Sequence, residues 1–238
     1  MGLRTSISWC DSSWNPFIGC KKLSPGCQQC YMFRDQERYG NDPKLIRRAK
    51  SATFNAPLKW KDPAKVFTCS WSDFFIEEAD DWRDEAWDVI SRTPHLSYQI
   101  LTKRPENILS RLPENWGSGW PNVWLGVSVE TQEYTRRIEF LTQIDAAVRF
   151  ISYEPALGPV DFTWHMPGIS WIISGGESGY HPRYSDLNWF RSVRNQCKEY
   201  KVAYFHKQNG GSHKINGVWG GDELDGERHH NFPVPQAV

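Results

Sequence analysis

The sequence lacks a net charge, because 28 lysine and arginine residues balance 28 aspartate and glutamate residues. A protein held on nucleic acid or on a membrane by its overall charge is therefore not expected. The sequence also lacks any run approaching the ~18 apolar residues of a membrane span, and its N-terminus has no apolar signal stretch. These absences predict a cytoplasmic protein with no membrane partner.

Linkers, repeats and several catalytic motifs are absent as well. No low-complexity tract or Gly/Ser linker interrupts the 238 residues, so residues 1–238 are predicted to form a single domain. The sequence has no P-loop, no GxSxG elbow and no GxGxxG after a strand, which argues against nucleotide-triphosphate hydrolysis and serine-hydrolase chemistry. Apolar residues make up 39% of the chain, enough for a sizeable core.

What is present is a recurring unit, an apolar run that ends in polar residues and is followed by a helical pattern. Six runs predict buried strands of a parallel sheet: 66–68, 98–101, 123–127, 148–151, 171–173 and 202–205. Helical patterns lie between them, including one that begins at Pro105 and one behind Ser185 or Asp186. This alternation predicts an α/β fold, a TIM-like (βα) barrel, full or partial, with an N-terminal cysteine loop over 14–31.

The ends of the predicted strands carry charged and amide side chains. In βα barrels the active site lies at the C-terminal ends of the strands. Strand ends are polar in any α/β protein because they meet solvent, yet here nearly every strand ends in this way. The set therefore predicts a shared pocket, whose residues are Asp73, Lys103, Arg104, Glu130, Glu154, Glu177, Lys207 and Gln208.

Three of the six cysteines, Cys20, Cys27 and Cys30, fall within one short segment. The last two have the CxxC spacing in which two thiolates hold one metal or cluster, and three thiolates match an iron–sulfur cluster with one open iron. Zinc more often takes four protein ligands, and Cys10 or Cys69 could supply the fourth. Three buried, unligated thiols are the remaining alternative.

The segment from residue 14 to residue 31, WNPFIGCKKLSPGCQQCY, resembles the signature of a phage- and prophage-associated family of unknown function that is similar to radical S-adenosylmethionine (SAM) enzymes. The resemblance covers nearly the whole chain in order. Its further segments are VFTCSWSDFF, YQILTKRPEN, PNVWLGVSVE, ISYEPALGPVD, WIISGGESG and YFHKQNGG. The cysteine spacing is Cys-x6-Cys-x2-Cys, whereas radical SAM enzymes usually have CxxxCxxC.

The resemblance implies cofactors and site residues. It implies a [4Fe–4S] cluster on the three cysteines, SAM on the open iron, an electron donor, and cleavage of SAM to a 5′-deoxyadenosyl radical that modifies a substrate. Residues 175–177 resemble the GGE motif that contacts the SAM amino group. The candidates for holding SAM are Ser128, Glu130, Glu154, Gly175, Gly176 and Glu177. Those expected to face the substrate are Asp73, Lys103, Arg104 and Lys207.

The net charge of zero conceals two segments of opposite charge. Residues 21–65 carry a formal charge of +7 and residues 73–88 a formal charge of −7. The basic segment could follow a phosphate backbone, or it could form a solvated face that pairs with the acidic segment. Four aromatic residues, Trp9, Trp14, Tyr31 and Trp71, could stack a base or belong to the core. The alternative function is therefore a non-enzymatic nucleic-acid-binding protein with a structural metal site.

Overall fold

The structure, a computed structural model, describes residues 5–236. Its strands are β1 Ser12–Trp14, β2 Phe17–Ile18, β3 Arg47–Arg48, β4 Ala64–Thr68, β5 Leu96–Thr102, β6 Val123–Ser128, β7 Val148–Tyr153, β8 Trp171–Gly175, β9 Ala203–Gln208, β10 Lys214–Ile215, β11 Val218–Trp219, β12 Glu223–Leu224 and β13 Glu227–Arg228. Its α-helices are α1 Tyr31–Arg38, α2 Ser51–Phe54, α3 Asp80–Ser91, α4 Arg136–Leu141 and α5 Leu187–Tyr200.

Seven strands form one sheet in the order β1-β4-β5-β6-β7-β8-β9. The pairs β1/β4, β4/β5, β7/β8 and β8/β9 are parallel. The chain divides into two compact units within β6. The first unit runs to Gly126 and includes Ile144–Ala147, and the second unit comprises Val127–Gln143 and Val148–Pro235.

The predicted α/β fold is confirmed at this level. All six predicted apolar runs lie in the sheet, in β4 through β9 except for Val202, the residue that precedes β9. The sequence interpretation missed β1, whose residues Ser12 and Ser13 do not form an apolar run. It also placed a helix after Pro105, where the structure has two short 3₁₀ turns. The reason is that Leu109 is largely exposed, so the segment presents no continuous apolar stripe to bury.

An aromatic cluster fills the core of the first unit. Trp14 packs edge-on against Tyr98, and its indole nitrogen donates to the Phe54 carbonyl at 2.9 Å. Phe74 similarly packs against Trp87 of α3, with ring centroids 4.9 Å apart. Burying such rings stabilises the fold, and their edge-to-face geometry adds roughly 0.5–1.5 kcal/mol per pair. The predicted alternative that Trp14 belongs to the core is confirmed.

The core of the second unit forms where α5 packs on β8 and β9. Phe190 of α5 lies against Tyr153 and His206, and its carbonyl accepts a hydrogen bond from the Tyr204 hydroxyl. The helix begins where the sequence predicts, because the Asp186 side chain accepts from the Asn188 amide at 2.8 Å and so caps the first turn.

Among residues 5–236, no helix has the length and apolar character needed to cross a membrane.

Candidate metal centre and strand-end side chains

Cys20 is held by backbone contacts in the first unit. Its amide donates to the Pro43 carbonyl at 2.9 Å, and the amide of Gly19 donates to the Trp71 carbonyl at 3.0 Å. Gly19 has a φ of +100°, and a Cβ at this position would lie 2.4 Å from the Leu45 carbonyl oxygen. Only glycine tolerates that approach. Gly19 is therefore required for the backbone conformation that leads into Cys20.

Cys27 and Cys30 lie on a turn that leads into a helix. A 3₁₀ turn spans Pro25–Cys27, and Cys30 is the N-cap residue of α1. The Phe33 amide, at the start of that helix, donates to the Cys30 carbonyl at 3.2 Å, and the amides of Met32 and Phe33 partly offset the rise that burial causes in the pKa of Cys30. Amides at a helix N-terminus stabilise a thiolate, which is the form that binds a metal or a cluster.

The three thiols lie within electrostatic range of one another. Burial raises the pKa of Cys20 to about 12, with further increases from Asp73, Cys27 and Cys30. Burial also raises the pKa of Cys30, and Cys27 adds to that shift while Lys103 opposes it. The raised pKa values of Cys20 and Cys30 favour their protonated forms, and binding of a metal or cluster would displace these protons.

The arrangement is not a closed single-ion site. Within the described residues, no group of three or more His, Cys, Asp or Glu side chains is arranged to hold one metal ion. Of the two proposed fourth ligands, Cys69 is buried and lies within electrostatic range of Cys20, and its pKa is raised well above its usual value, chiefly by burial. The Cys10 thiol points to the Ile7 carbonyl at 3.8 Å.

Asp73 and Arg104, predicted to face a substrate, form a buried pair beside Cys20. The Asp73 carboxylate accepts from Thr102 Oγ1 at 2.6 Å, from the Lys103 amide at 2.9 Å and from Arg104 Nη1 at 3.2 Å. Arg104 Nη2 donates to the Lys21 carbonyl at 3.1 Å, and the guanidinium lies within electrostatic range of the Cys20 thiol. The structure therefore brings Asp73, Lys103 and Arg104 to the cysteine loop, as parts of its support.

In the second unit, two of the predicted carboxylates are buried and paired with arginines. Glu130 accepts from Arg137 Nη1 at 2.9 Å, and the same nitrogen donates to the Ser128 carbonyl at 2.7 Å. Glu177 accepts from both the backbone amide and Nε of Arg183, each at 2.9 Å. Despite its burial, these bonds hold the Glu177 pKa below its ordinary value.

Glu154 and Lys207 form a third pair of a different kind. The Lys207 ammonium contacts Oε1 of Glu154, and both side chains are partly exposed. Within the described chain, Lys207 is the only hydrogen-bond donor to the Glu154 side chain. Glu154 therefore keeps an acceptor oxygen and Lys207 keeps donor protons, so this pair has capacity left for a ligand with charges of both signs.

In the GGE segment, a close backbone approach excludes a side chain at Gly176, and the Glu154 side chain crowds Gly175. A Cβ at Gly175 would lie 3.3 Å from the Glu154 carboxyl carbon, and one at Gly176 would lie 2.1 Å from the Asn209 carbonyl oxygen. The Gly176 amide donates to the Gln208 carbonyl at 3.0 Å. Packing between neighbouring strand ends thus accounts for both glycines, as the Arg183 contacts account for Glu177.

Part of the basic segment pairs with the acidic segment. Lys21 contacts Glu78, and Arg48 Nη2 lies 2.6 Å from Glu85 Oε2. Arg47 instead donates to the Gln36 side chain at 2.6 Å. Six further basic residues are exposed and form no ion pair among the described residues: Lys22, Arg38, Lys44, Lys50, Lys59 and Lys61.

Of the four aromatic residues proposed to stack a base, two are buried in the core and two are at least partly exposed. Trp9 is buried against Phe67, with ring centroids 4.6 Å apart, and Trp14 belongs to the core described above. Tyr31 is exposed, and its hydroxyl donates to the Ser70 carbonyl at 2.9 Å. Trp71 is partly exposed and lies against Tyr39. Tyr31 and Trp71 therefore remain accessible to a ligand.

Sequence reasoning missed the partners of the strand-end carboxylates. Arg137 lies seven residues after Glu130, and Arg183 lies six residues after Glu177. An arginine six or seven residues after a strand-end carboxylate is the sequence signal for these pairs. A buried network of Ser174, His206 and Asn209 was missed too, because no local pattern links residues on β8 and β9.

Comparison with known proteins identifies a family without a described function. A family model described as a protein of unknown function (DUF5131) matches residues 4–233. No curated protein and no solved structure matches the chain.

Proposed function

Because this chain belongs to the DUF5131 family, whose description names no activity, we propose its function from the cysteine site. We propose that Cys20, Cys27 and Cys30 bind a [4Fe–4S] cluster and that the protein cleaves SAM to modify a substrate. We further propose that the sheet belongs to a TIM-like (βα) barrel, full or partial.

The observation that carries the proposal is the clustering of the three thiols in the first unit. Each interacts electrostatically with the other two. Amides from α1 favour the charged form of Cys30, while Arg104 and Lys103 offset the negative charge of the sulfurs. Three sulfur donors, amide donors and nearby cations suit a cluster that keeps one iron open.

A [4Fe–4S] cluster with one open iron supplies the site for SAM and the electron, taken from an external donor, that cleaves it. The residues of the chain bind and orient the reactants. Glu130 and Glu177 are each paired with an arginine and support the strand ends. Glu154 and Lys207 keep unused hydrogen-bonding capacity, and we propose Glu154 as a residue that binds SAM and Lys207 as one that faces the substrate.

The first test is incubation of the anaerobically reconstituted protein with SAM and dithionite. The proposal predicts 5′-deoxyadenosine from the wild type and none above background from the Cys20→Ala/Cys27→Ala/Cys30→Ala variant. Glu154→Gln should weaken SAM binding about tenfold, because a charge-assisted hydrogen bond contributes roughly 1.5–3 kcal/mol. The control is Glu139→Gln, an exposed position on α4. Equal product from wild type and triple variant would overturn the proposal.

Nucleic acid is the second candidate, either as substrate or as the partner of a non-enzymatic protein with a structural zinc or cluster. The phage setting implied by the resemblance makes DNA, RNA or their nucleotides the proposed substrate. The supporting observation is the set of exposed basic side chains in residues 22–61 that form no ion pair among the described residues. Such side chains can contact phosphates without first breaking an ion pair.

A further inference from the structure

Arg104 carries a buried positive charge beside the cysteine loop. Its side chain is 5% exposed, and its nearest carboxylate oxygens are Asp73 Oδ2 at 3.2 Å and Glu77 Oε2 at 3.7 Å. Its Nη2 reaches the cysteine loop and donates to the Lys21 carbonyl at 3.1 Å, and its charge lies within electrostatic range of the Cys20 thiol. The guanidinium therefore joins the end of β5 to the residues that would hold the cluster.

We infer that Arg104 is a positioning residue that fixes Cys20 and sets the reduction potential of the centre bound there. The inference rests on the proposed cluster and deepens it, since it assigns Arg104 to the cluster and not to the substrate. The described contacts support this assignment, because the buried guanidinium donates to the Asp73 carboxylate and to the Lys21 carbonyl of the cysteine loop, next to Cys20.

The electrostatic argument concerns the extra electron of the reduced centre. A positive charge close to the ligand sulfurs stabilises the more negative, reduced state and raises the reduction potential. The effect is strong where water is excluded, because the local dielectric constant is low. Arginine keeps its charge at any accessible pH, so this contribution does not depend on protonation.

Asp73 is expected to shift the reduction potential in the direction opposite to Arg104. Its carboxylate lies on the same guanidinium and partly offsets the positive charge near Cys20. Removing the two charges should therefore move the potential in opposite directions. Loss of Arg104 removes the positive charge that stabilises the reduced state. Loss of the Asp73 charge leaves the positive charge of the guanidinium less compensated.

The experiment is an EPR-monitored redox titration of anaerobically reconstituted protein, with iron and sulfide measured for every variant. Arg104→Gln should lower the potential, Arg104→Lys should lower it less, and Asp73→Asn should raise it. Arg38→Gln is the matched control, because Arg38 is exposed in the last turn of α1 and should leave the potential unchanged.

The outcomes separate this inference from the proposed function. A wild type that takes up no iron overturns the proposed function and the inference together. A fully loaded Arg104→Gln variant with the wild-type potential overturns the inference alone and leaves the cluster in place. If Arg104→Gln takes up no cluster, the reduction potential of Asp73→Asn tests the inference instead. An unchanged or lower potential in that variant overturns it.

Discussion

His206 is a fully buried residue of the second unit, and both of its ring nitrogens are used inside the protein. One ring nitrogen lies 2.9 Å from the Ser174 hydroxyl and the other lies 2.9 Å from Asn209 Oδ1. Burial lowers the pKa of His206 from 6.5 to about 4. Because its nucleophilic neighbour Ser174 is also fully buried, this network serves packing and not catalysis.

The folded pKa of His206 lies below the unfolded value, so its contribution to stability is present above pH 6.5 and is lost as pH falls toward 4. We expect this contribution to fall by about 2–3 kcal/mol between pH 7.5 and pH 4.5, at roughly 1.4 kcal/mol per pKa unit. Urea unfolding at the two pH values should show a smaller loss in His206→Gln than in the wild type. The control, exposed His213→Gln, should behave as the wild type, and an equal loss in His206→Gln would contradict the assignment.

Residues close in sequence could be predicted to act together, whereas distant partners could not. Cys20, Cys27 and Cys30 are near neighbours along the chain, and their clustering follows from one loop. The bond from Arg104 to Lys21 spans 83 residues, and it depends on how the cysteine loop lies on the end of β5. For this reason the sequence predicts only that Arg104 faces a substrate, and its bonds to Asp73 and Lys21 are seen only in the structure.

At the scale of elements, apolar runs predicted the strands and side-chain caps predicted one helix start. The runs succeeded because β4 through β9 are buried along most of their length. The start of α3 was less predictable, because Asp80 lies inside the helix, where it pairs with Arg83 and Arg111, and gives no side-chain cap. A carboxylate near a helix start can thus serve tertiary ion pairs in place of a cap.

The basic segment, residues 21–65, gives a prediction at the same scale. If it contacts a polynucleotide, exposed lysines should carry the affinity, because Arg47 and Arg48 are engaged with Gln36 and Glu85. Lys59→Glu with Lys61→Glu should weaken binding for all sequences and reduce its salt dependence. The control, Lys198→Glu with Lys201→Glu, makes the same charge change in the second unit and should leave the affinity and its salt dependence unchanged. Electrophoretic mobility shifts at several salt concentrations would measure both, and equal losses would remove the segment as the contact surface.

For the whole molecule, the pattern of apolar runs and helical segments predicted the fold class, whereas composition did not predict the function. Alternating strands and helices are a property of the complete chain and are read from its pattern, which the seven-stranded sheet order bears out. The zero net charge, by contrast, conceals segments of +7 and −7 that touch through Lys21–Glu78 and Arg48–Glu85. A substrate is chosen by side chains brought together by folding, which composition does not describe.

The central claim is that three cysteines hold one [4Fe–4S] cluster, and native mass spectrometry of the anaerobically reconstituted chain tests it most directly. The wild type should gain the mass of four irons and four sulfides. Cys20→Ala, Cys27→Ala and Cys30→Ala should each lose that mass, while Cys10→Ala, Cys69→Ala and Cys197→Ala should keep it. A single zinc in the wild type, or a complete cluster in Cys30→Ala, would contradict the account.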